Sequence, residues 1–244
     1  MSGWLCIAGL GPGDEAMVTP AVSQALAEAT DVLGYIPYVA RVVARPGLRL
    51  HPSDNREELH RARAALALAA QGERVVVVSS GDPGVFAMAA AVFEAMEGRE
   101  DWQALDVRVL PGITAMLAAA ARAGAPLGHD FCAINLSDNL KPWSLIDRRV
   151  RAAAGADMAM AFYNPRSASR PHTFEQVLAV LRETCEPTRW VIFARSVSTP
   201  QEQLMCVPLC DARPEMADMR TLVIVGSSTT RCVGRFVYTP RSAS

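Results

Sequence analysis

The stretch "RVVVVSSGDPG", Arg74 to Gly84, decides the fold. Its unbroken β-branched run is the mark of a central parallel strand buried on both faces, since a half-exposed strand would alternate with polar residues. The run stops at Gly81-Asp82-Pro83-Gly84, and helix-forming residues follow. Outward from it, strand-like and helix-like segments alternate. Upstream, "WLCIA" reads as a short buried strand, and Thr19 caps a helix that has Pro20 at its first position. "DVLGYIPYV" is short and broken by turns. "LRLH" leads to Asp54, with Glu57 three residues on, a capping-box variant opening a long Ala/Leu/Arg helix to about Gln71. Downstream, "LDVRVL" is a strand ending at Pro111-Gly112-Ile113-Thr114, and an Ala-rich helix follows.

The second half reads differently. "FCAINLSD", "DMAMAFYNP", "RWVIFARSV", "EQLMCVPL" and "TLVIVGSS" look like strands, and the last three share one intervening helix signal, in "RPEMADM". That favours a mixed or partly antiparallel sheet. The expected fold is therefore α/β in two α/β domains. Residues 1–115 carry the Gly-rich loop and a mostly parallel sheet, and 116–244 carry the mixed sheet. The boundary falls in the span from Gly112 to Gly124, ahead of the turn-rich "ARAGAPLGHD", and "YTPRSAS" reads as a frayed tail.

The 244 residues are half hydrophobic and one fifth charged (20%), as expected of a folded globular chain. With 24 basic and 25 acidic residues the net charge is −1, which argues against nucleic acid or a membrane surface as the main partner. There is no signal-peptide pattern and no apolar run long enough for a membrane span, so a cytoplasmic protein is expected. Six cysteines are scattered without a CxxC; they read as buried thiols with no disulfides. Cys206 and Cys210 lie four apart around Pro208 with no histidine nearby, and no metal site is expected.

The chemistry-bearing positions recur at the carboxyl end of a strand before a helix, where open α/β sheets bind ligands and helix-start N–H groups are unpaired. "GLGPGD" has Gly9, Gly11 and Gly13, with Asp14 at the third glycine position of a dinucleotide loop. It has no Lys-Ser/Thr for a P-loop, and Pro12 removes a donor that a phosphate would use. Asp31 stands at the start of the next strand rather than its end. The loop is a tight turn or a wall for some other ligand. In "SSGDPG", Asp82 is either the cap of the next helix with Pro83 at its first position or a ligand contact, and the two are compatible. Thr114 in "LPGIT" is a helix-start hydroxyl or a ligand contact. In "FYNPRS", Asn164 precedes proline and should be extended, and Arg166 and Arg170 are carboxylate clamps or solvated loop arginines. "NLSDN" is an Asx-rich turn or part of a second ligand wall. The four histidines are isolated and receive no metal role. There is no GxSxG or HExxH motif and no paired-carboxylate signature.

In this order and at these distances, "GLGPGD", "SSGDPG", "PGIT", "FYNPR" and "TLVIVGSS" resemble the tetrapyrrole (uroporphyrinogen and precorrin) methyltransferases, over about Trp4 to Thr239. A finer resemblance, in "GYIPYV", "FCAINLSDNLKPW", "FYNPRSASR" and "RTLVIVGSSTTR", is to the branch that methylates ring carbon 17 of precorrin-3B and contracts the macrocycle to precorrin-4 in cobalamin biosynthesis. The resemblance implies S-adenosyl-L-methionine as cofactor, precorrin-3B as substrate, a ligand cleft between two α/β domains and a homodimer. It implies cofactor contacts at Pro12, Ser80, Gly81, Asp82, Val85, Thr114, Ala115, Tyr163, Asn164 and Gly226. In "FARSVST" the chain departs from relatives with a glycine near Val197 or Ser198, which puts a contact there in doubt. On the substrate side the candidates are Tyr35, Ser137, Asp138, Arg166 and Arg195, with Arg170 and Arg231 as further clamps.

Methyl transfer from a sulfonium is an in-line displacement that needs alignment and exclusion of water more than a strong base. No catalytic residue is therefore singled out. Asp82, Asp138, His129 and Tyr35 are candidates for acid–base help in the contraction. The rival readings are the anaerobic-route relative acting on a cobalt-containing precorrin-3, and a non-catalytic tetrapyrrole carrier. A nicotinamide oxidoreductase is disfavoured by Asp14 and Asp31.

Overall fold

A computed structural model describes residues 3–242; positions 1–2 and 243–244, the last two of the expected tail among them, lie outside the described residues. The chain forms two compact units, one ending at Thr114 and one beginning at Ala115. The first unit contains β1 (Trp4–Gly9), α1 (Pro20–Glu28), β2 (Asp31–Tyr35), α2 (Ile36–Val39), β3 (Arg49–Ser53), α3 (Glu58–Ala70), β4 (Arg74–Ser79), α4 (Met88–Met96), α5 (Glu100–Gln103) and β5 (Asp106–Leu110). Its sheet has the order β3-β2-β4-β1-β5, and every pair is parallel.

Val75 to Val78 are fully buried in β4, as a central strand requires. Full burial of such a side chain is worth about 1.5–3 kcal/mol. Their alternation divides the core. Val75 and Val77, with Leu5 and Ile7, pack on Ala62, Leu66 and Val92 of the α3 and α4 layer. Val76 and Val78, with Cys6 and Ala8, pack on Val22 and Ala25 of α1 and Val39 of α2. A right-handed crossover puts its helix on the face set by the direction of travel along the sheet. The connections from β1 to β2 and from β4 to β5 run in opposite directions, so their helices lie on opposite faces. The β1/β4 pair is thus where neighbouring strands send their chains to opposite faces, the place where such sheets bind ligands.

The second unit contains α6 (Ala115–Ala123), β6 (Gly124–Ala125), β7 (Phe131–Asn135), α7 (Trp143–Gly155), β8 (Ala159–Tyr163), α8 (Thr173–Thr184), β9 (Trp190–Arg195), β10 (Gln203–Pro208), β11 (Thr221–Val225), β12 (Arg231–Val233) and β13 (Phe236–Tyr238). Its main sheet has the order β10-β9-β11-β8-β7; β7 and β8 are parallel and the other pairs antiparallel. This is the mixed sheet expected from the sequence. One core packs Ile146, Val150, Phe174, Leu178 and Leu181 of α7 and α8 against Met160, Phe162, Phe193 and Val223. The alanines of α6 cover the other face, against Ala161, Ile192 and Ile224.

Four local expectations are corrected. The α3 helix starts at Glu58, not after Asp54: Arg56 takes a positive φ of 68°, Asp54 bonds the adjacent Asn55 amide, and no side chain caps the helix. The tail is built in through Tyr238 and Thr239. β13 pairs with β6 and β12 in a small sheet, and the buried Thr239 hydroxyl donates to Pro126 O at 2.6 Å. Cys6 is buried, but Cys210 and Cys232 are exposed. Asn164, ahead of proline, is left-handed (φ 52°) rather than extended, a conformation that Asn tolerates better than most residues.

At the amino edge of the first sheet lies a buried ionic node. Asp31 is fully buried and accepts from Arg49 Nε (2.7 Å) and Nη2 (2.6 Å) and from the Thr30 hydroxyl (2.8 Å), while His51 Nε2 lies 2.8 Å away. Burial pushes its carboxyl pKa up, and the bonds from Arg49, His51 and Thr30 outweigh it, leaving a value of about 2 against an ordinary 3.8. A carboxyl depressed in the folded state stabilises above its unfolded pKa and loses that contribution as pH falls through the folded one. The urea-unfolding advantage of the native protein over Asp31→Asn should therefore be full at pH 7 and shrink between about pH 4 and pH 2. A gap that stays constant over that window would refute the linkage.

Candidate functional site

In the first unit, three loops leave the carboxyl ends of β1, β4 and β5 and meet backbone to backbone. Gly11 N donates to Gly81 O (3.2 Å), and Gly81 N to Gly11 O (2.9 Å). A Cβ built on Gly9 would lie 2.5 Å from Gly81 O; one on Gly112 would lie 2.2 Å from the same oxygen and 2.7 Å from Gly9 O. Nothing larger than glycine fits at either position. Asp82 ties the second loop to the third: Oδ1 accepts from Gly84 N (2.8 Å) and Oδ2 from Gly112 N (3.1 Å). It is not the cap of α4, which begins at Met88 behind an Ala87 cap.

The other first-unit candidates cluster around these loops. Pro12 and Ser80 are half-buried on the first and second loops, Val85 follows Asp82, and Thr114 is buried at the end of the third. Tyr35 ends β2 and packs edge-on against Tyr38, with ring centroids 5.4 Å apart. Burial and the neighbouring Tyr35 raise the Tyr38 phenol pKa, against a Ser80 hydrogen bond and the charges of Arg41 and Arg61. Arg41 donates to three carbonyls of the first loop, a residue that sequence reading missed because nothing in a local motif marks a contact some 30 positions away.

In the second unit, the carboxyl edge of β7, β8 and β9 holds most of the remaining candidates. Asn135 and Tyr163 are register partners at the ends of β7 and β8. Asn135 Oδ1 accepts from Ser137 N (2.9 Å) and from Asn164 Nδ2 (3.1 Å), so one side chain orders both loops. The Tyr163 hydroxyl accepts from Met116 N (3.1 Å), serving one of the unpaired amides at the start of α6 beside the half-buried Ala115. "NLSDN" is thus the Asx turn that its composition suggested, and Asn135, not named among the candidates, is its organiser.

The arginines divide by partner. Arg170 is buried, bonded to Leu136 O (3.4 Å) and Asn164 O (3.2 Å), with the exposed Asp138 carboxylate at 3.7 Å; it is a structural clasp and not a free clamp. Arg195 already pairs with Asp218 at 2.8 Å. Burial raises the Asp218 carboxyl pKa, and bonds from Arg195, Thr221 and Arg220 bring it below its ordinary value. Arg166 donates Nε to Pro171 O (3.1 Å) and carries no ion pair among the described residues. Arg231 is exposed on β12 in the small sheet.

Two candidates lie at the wrong edge. β11 runs antiparallel to β8, with Val225 opposite Met160, so Gly226 lies away from Asn164. Its glycine has a local reason: a Cβ there would lie 2.4 Å from Thr230 Oγ1. His129 precedes β7 at that strand's amino end, beside Asp130 at 3.9 Å. The Ser196–Ser198 turn after β9 is strained, with φ of 48° and 62° at the two serines. Ser198 Oγ is the buried side-chain oxygen without a hydrogen-bond partner among the described residues. No group of His, Cys, Asp and Glu able to hold a metal occurs among the described residues, and no helix there is long and apolar enough to cross a membrane.

The family model for tetrapyrrole (corrin/porphyrin) methylases matches residues 5–212. A precorrin-3B C(17)-methyltransferase of Sinorhizobium sp is 50% identical over 247 residues, 99% of this chain and 97% of that protein. The crystal structure of the methyltransferase CobJ is 66% identical, with a TM-score of 0.96 over 98% of this chain and 100% of that one. Uroporphyrin-III C-methyltransferase from Thermus thermophilus, solved with S-adenyl homocysteine, shares the fold at 21% identity and a TM-score of 0.67, over 92% of this chain and 97% of that one.

The glycine contact and the strained serine make opposite predictions for stability. Gly112→Ala should lower the unfolding free energy by about 2 kcal/mol or more through overpacking against backbone. Gly155→Ala, where a Cβ meets nothing within 4 Å, should be neutral or slightly stabilising. Ser198→Gly should raise stability by about 1 kcal/mol, because it relieves the left-handed strain and the orphaned hydroxyl. Urea midpoints of the three variants check this, and a stable Gly112→Ala would remove the close-approach reading.

Proposed function

The chain belongs to the tetrapyrrole methylase family, and on that premise we propose that it methylates C17 of precorrin-3B with ring contraction to precorrin-4, in cobalamin biosynthesis. The observation that carries this reading is full-length similarity to a precorrin-3B C(17)-methyltransferase, together with the glycine-sealed loops at the carboxyl ends of β1, β4 and β5.

The residues fit S-adenosyl-L-methionine better than a phosphate cofactor. The first loop lacks an amide at Pro12, which removes a donor that a phosphate would use. Asp82 has used two of about four acceptor sites, leaving room for ribose hydroxyls. When bound, that cofactor supplies an electrophilic methyl group. In the first unit Pro12, Ser80, Gly81, Asp82, Val85 and Thr114 would hold and orient it. In the second, Ala115, Tyr163 and Asn164 would contribute. What these residues supply is alignment and exclusion of water, which an in-line displacement rewards most. Tyr35, Ser137, Asp138 and Arg166 are assigned to the substrate. Arg195 could join them only by sharing its guanidinium with Asp218. We read the working form as a cytoplasmic homodimer, as the family resemblance implies.

Mass spectrometry after incubation with S-adenosyl-L-methionine and precorrin-3B should show the gain of one methyl group and a changed chromophore. Turnover of cobalt-loaded precorrin-3 alone would move the protein to the anaerobic route. Retention of a corrinoid with no transfer would make it a carrier. Arg166→Ala should raise the tetrapyrrole KM by about tenfold, the worth of one charged hydrogen bond, with S-adenosylhomocysteine affinity unchanged. Loss of cofactor affinity alone would count against the substrate role.

A further inference from the structure

Arg41 has no part in the assignments above. It lies just after α2, and its guanidinium binds only main-chain carbonyls of a single loop: Nη2 donates to Leu10 O at 2.6 Å and Gly13 O at 3.2 Å, and Nη1 to Gly11 O at 3.4 Å. The group is partly buried. Burial pulls its pKa below the usual arginine value, and the Glu15 carboxylate opposes this through space.

The loop it holds has little else to fix it. Leu10-Gly11-Pro12-Gly13 contains one large side chain and no amide at Pro12. Its first half is anchored by Leu10 N on Ser79 O (2.8 Å) and by the Gly11–Gly81 pair. Gly13 O, beyond the proline, is reached by Arg41. Arginine suits the task because its planar fork reaches several acceptors at once in a fixed geometry, whereas an ammonium is a point donor on a flexible stem. Arg41 also follows directly on the segment carrying Tyr35 and Tyr38, whose phenol interacts with Ser80 of the second loop.

We propose that Arg41 is a positioning residue for the methyl donor: by clasping the Leu10, Gly11 and Gly13 carbonyls it sets the shape of the loop that receives S-adenosyl-L-methionine, without touching the cofactor. This rests on the cofactor reading above. The sheet core beneath the loop is apolar and complete without it, so loss of Arg41 should loosen the loop and leave the unit folded.

The full-length protein with Arg41→Ala and Arg41→Lys tests this by S-adenosylhomocysteine calorimetry, steady-state kinetics and urea midpoints. The alanine variant should bind S-adenosylhomocysteine about tenfold more weakly or worse, the scale of losing charged hydrogen bonds. Its cofactor KM should rise, while the tetrapyrrole KM and kcat at saturating cofactor stay near wild type. Lysine should restore part of the affinity, and millimolar ethylguanidine should restore it in the alanine variant. Unchanged cofactor affinity in the alanine variant would overturn the proposal. So would an equal loss of cofactor and tetrapyrrole binding with a lowered midpoint and no guanidine rescue, the pattern of a purely structural role. If the wild-type protein itself fails to bind S-adenosylhomocysteine, the cofactor reading falls and takes this proposal with it.

Discussion

The close approach of Gly9, Gly81 and Gly112 is the constraint from which the first unit's site follows. Three chain reversals must occupy adjacent carboxyl ends of parallel strands only about 4.8 Å apart. At that spacing a side chain on Gly9 or Gly112 meets the Gly81 carbonyl. With hydrogen in place of Cβ, the loops bond directly through Gly11 and Gly81, and Asp82 can cross from the second loop to the third. The place is set by the topology. β1 and β4 are neighbours whose onward helices lie on opposite faces, so their two loops bond at Gly11 and Gly81 and then leave toward opposite sides of the sheet.

A site built this way is made mostly of main chain, and that governs what it can do. One carboxylate, and a proline where a phosphate would need an amide, favour hydroxyls and give a phosphate little. The two arginines nearest the tyrosine pair follow the same economy. Arg41 serves loop carbonyls, and the buried Arg61 serves Ser53 Oγ and Asp54 O. Neither is held by a carboxylate, so each depends on main-chain or hydroxyl oxygens to offset its desolvation.

Most of the strands were legible because hydrophobic runs such as Val75 to Val78 record burial on both faces, a property of the residues themselves. What the sequence hid depended on direction and partners. An apolar run looks the same whichever way its strand runs, so the sequence places Gly226 with Asn164 although the antiparallel course of β11 carries it to the other edge. Capping residues are ambiguous for a related reason. Asp54 and Asp82 are good helix starters, yet each spends its carboxylate on a nearby loop amide, and the helix begins four to six residues later. Strands of two or three residues, such as β6 and β12, are too short to leave a periodic signal.

Arginine shows the same limit at the scale of function. Arg166, Arg170 and Arg195 are equal in sequence as clamps for a polycarboxylate, and loop position does not separate them. Their partners do. Arg170 is consumed by Leu136 O and Asn164 O, holding the turn that presents Asn164. Arg195 is neutralised by Asp218. Arg166 alone of the three has no carboxylate partner among the described residues and spends its Nε on the Pro171 carbonyl. A guanidinium with a carboxylate already in place gains less from a second one, because the first has met its charge. In this unit's "FYNPRS" loop, the arginine whose charge the fold leaves unmet among the described residues is therefore Arg166.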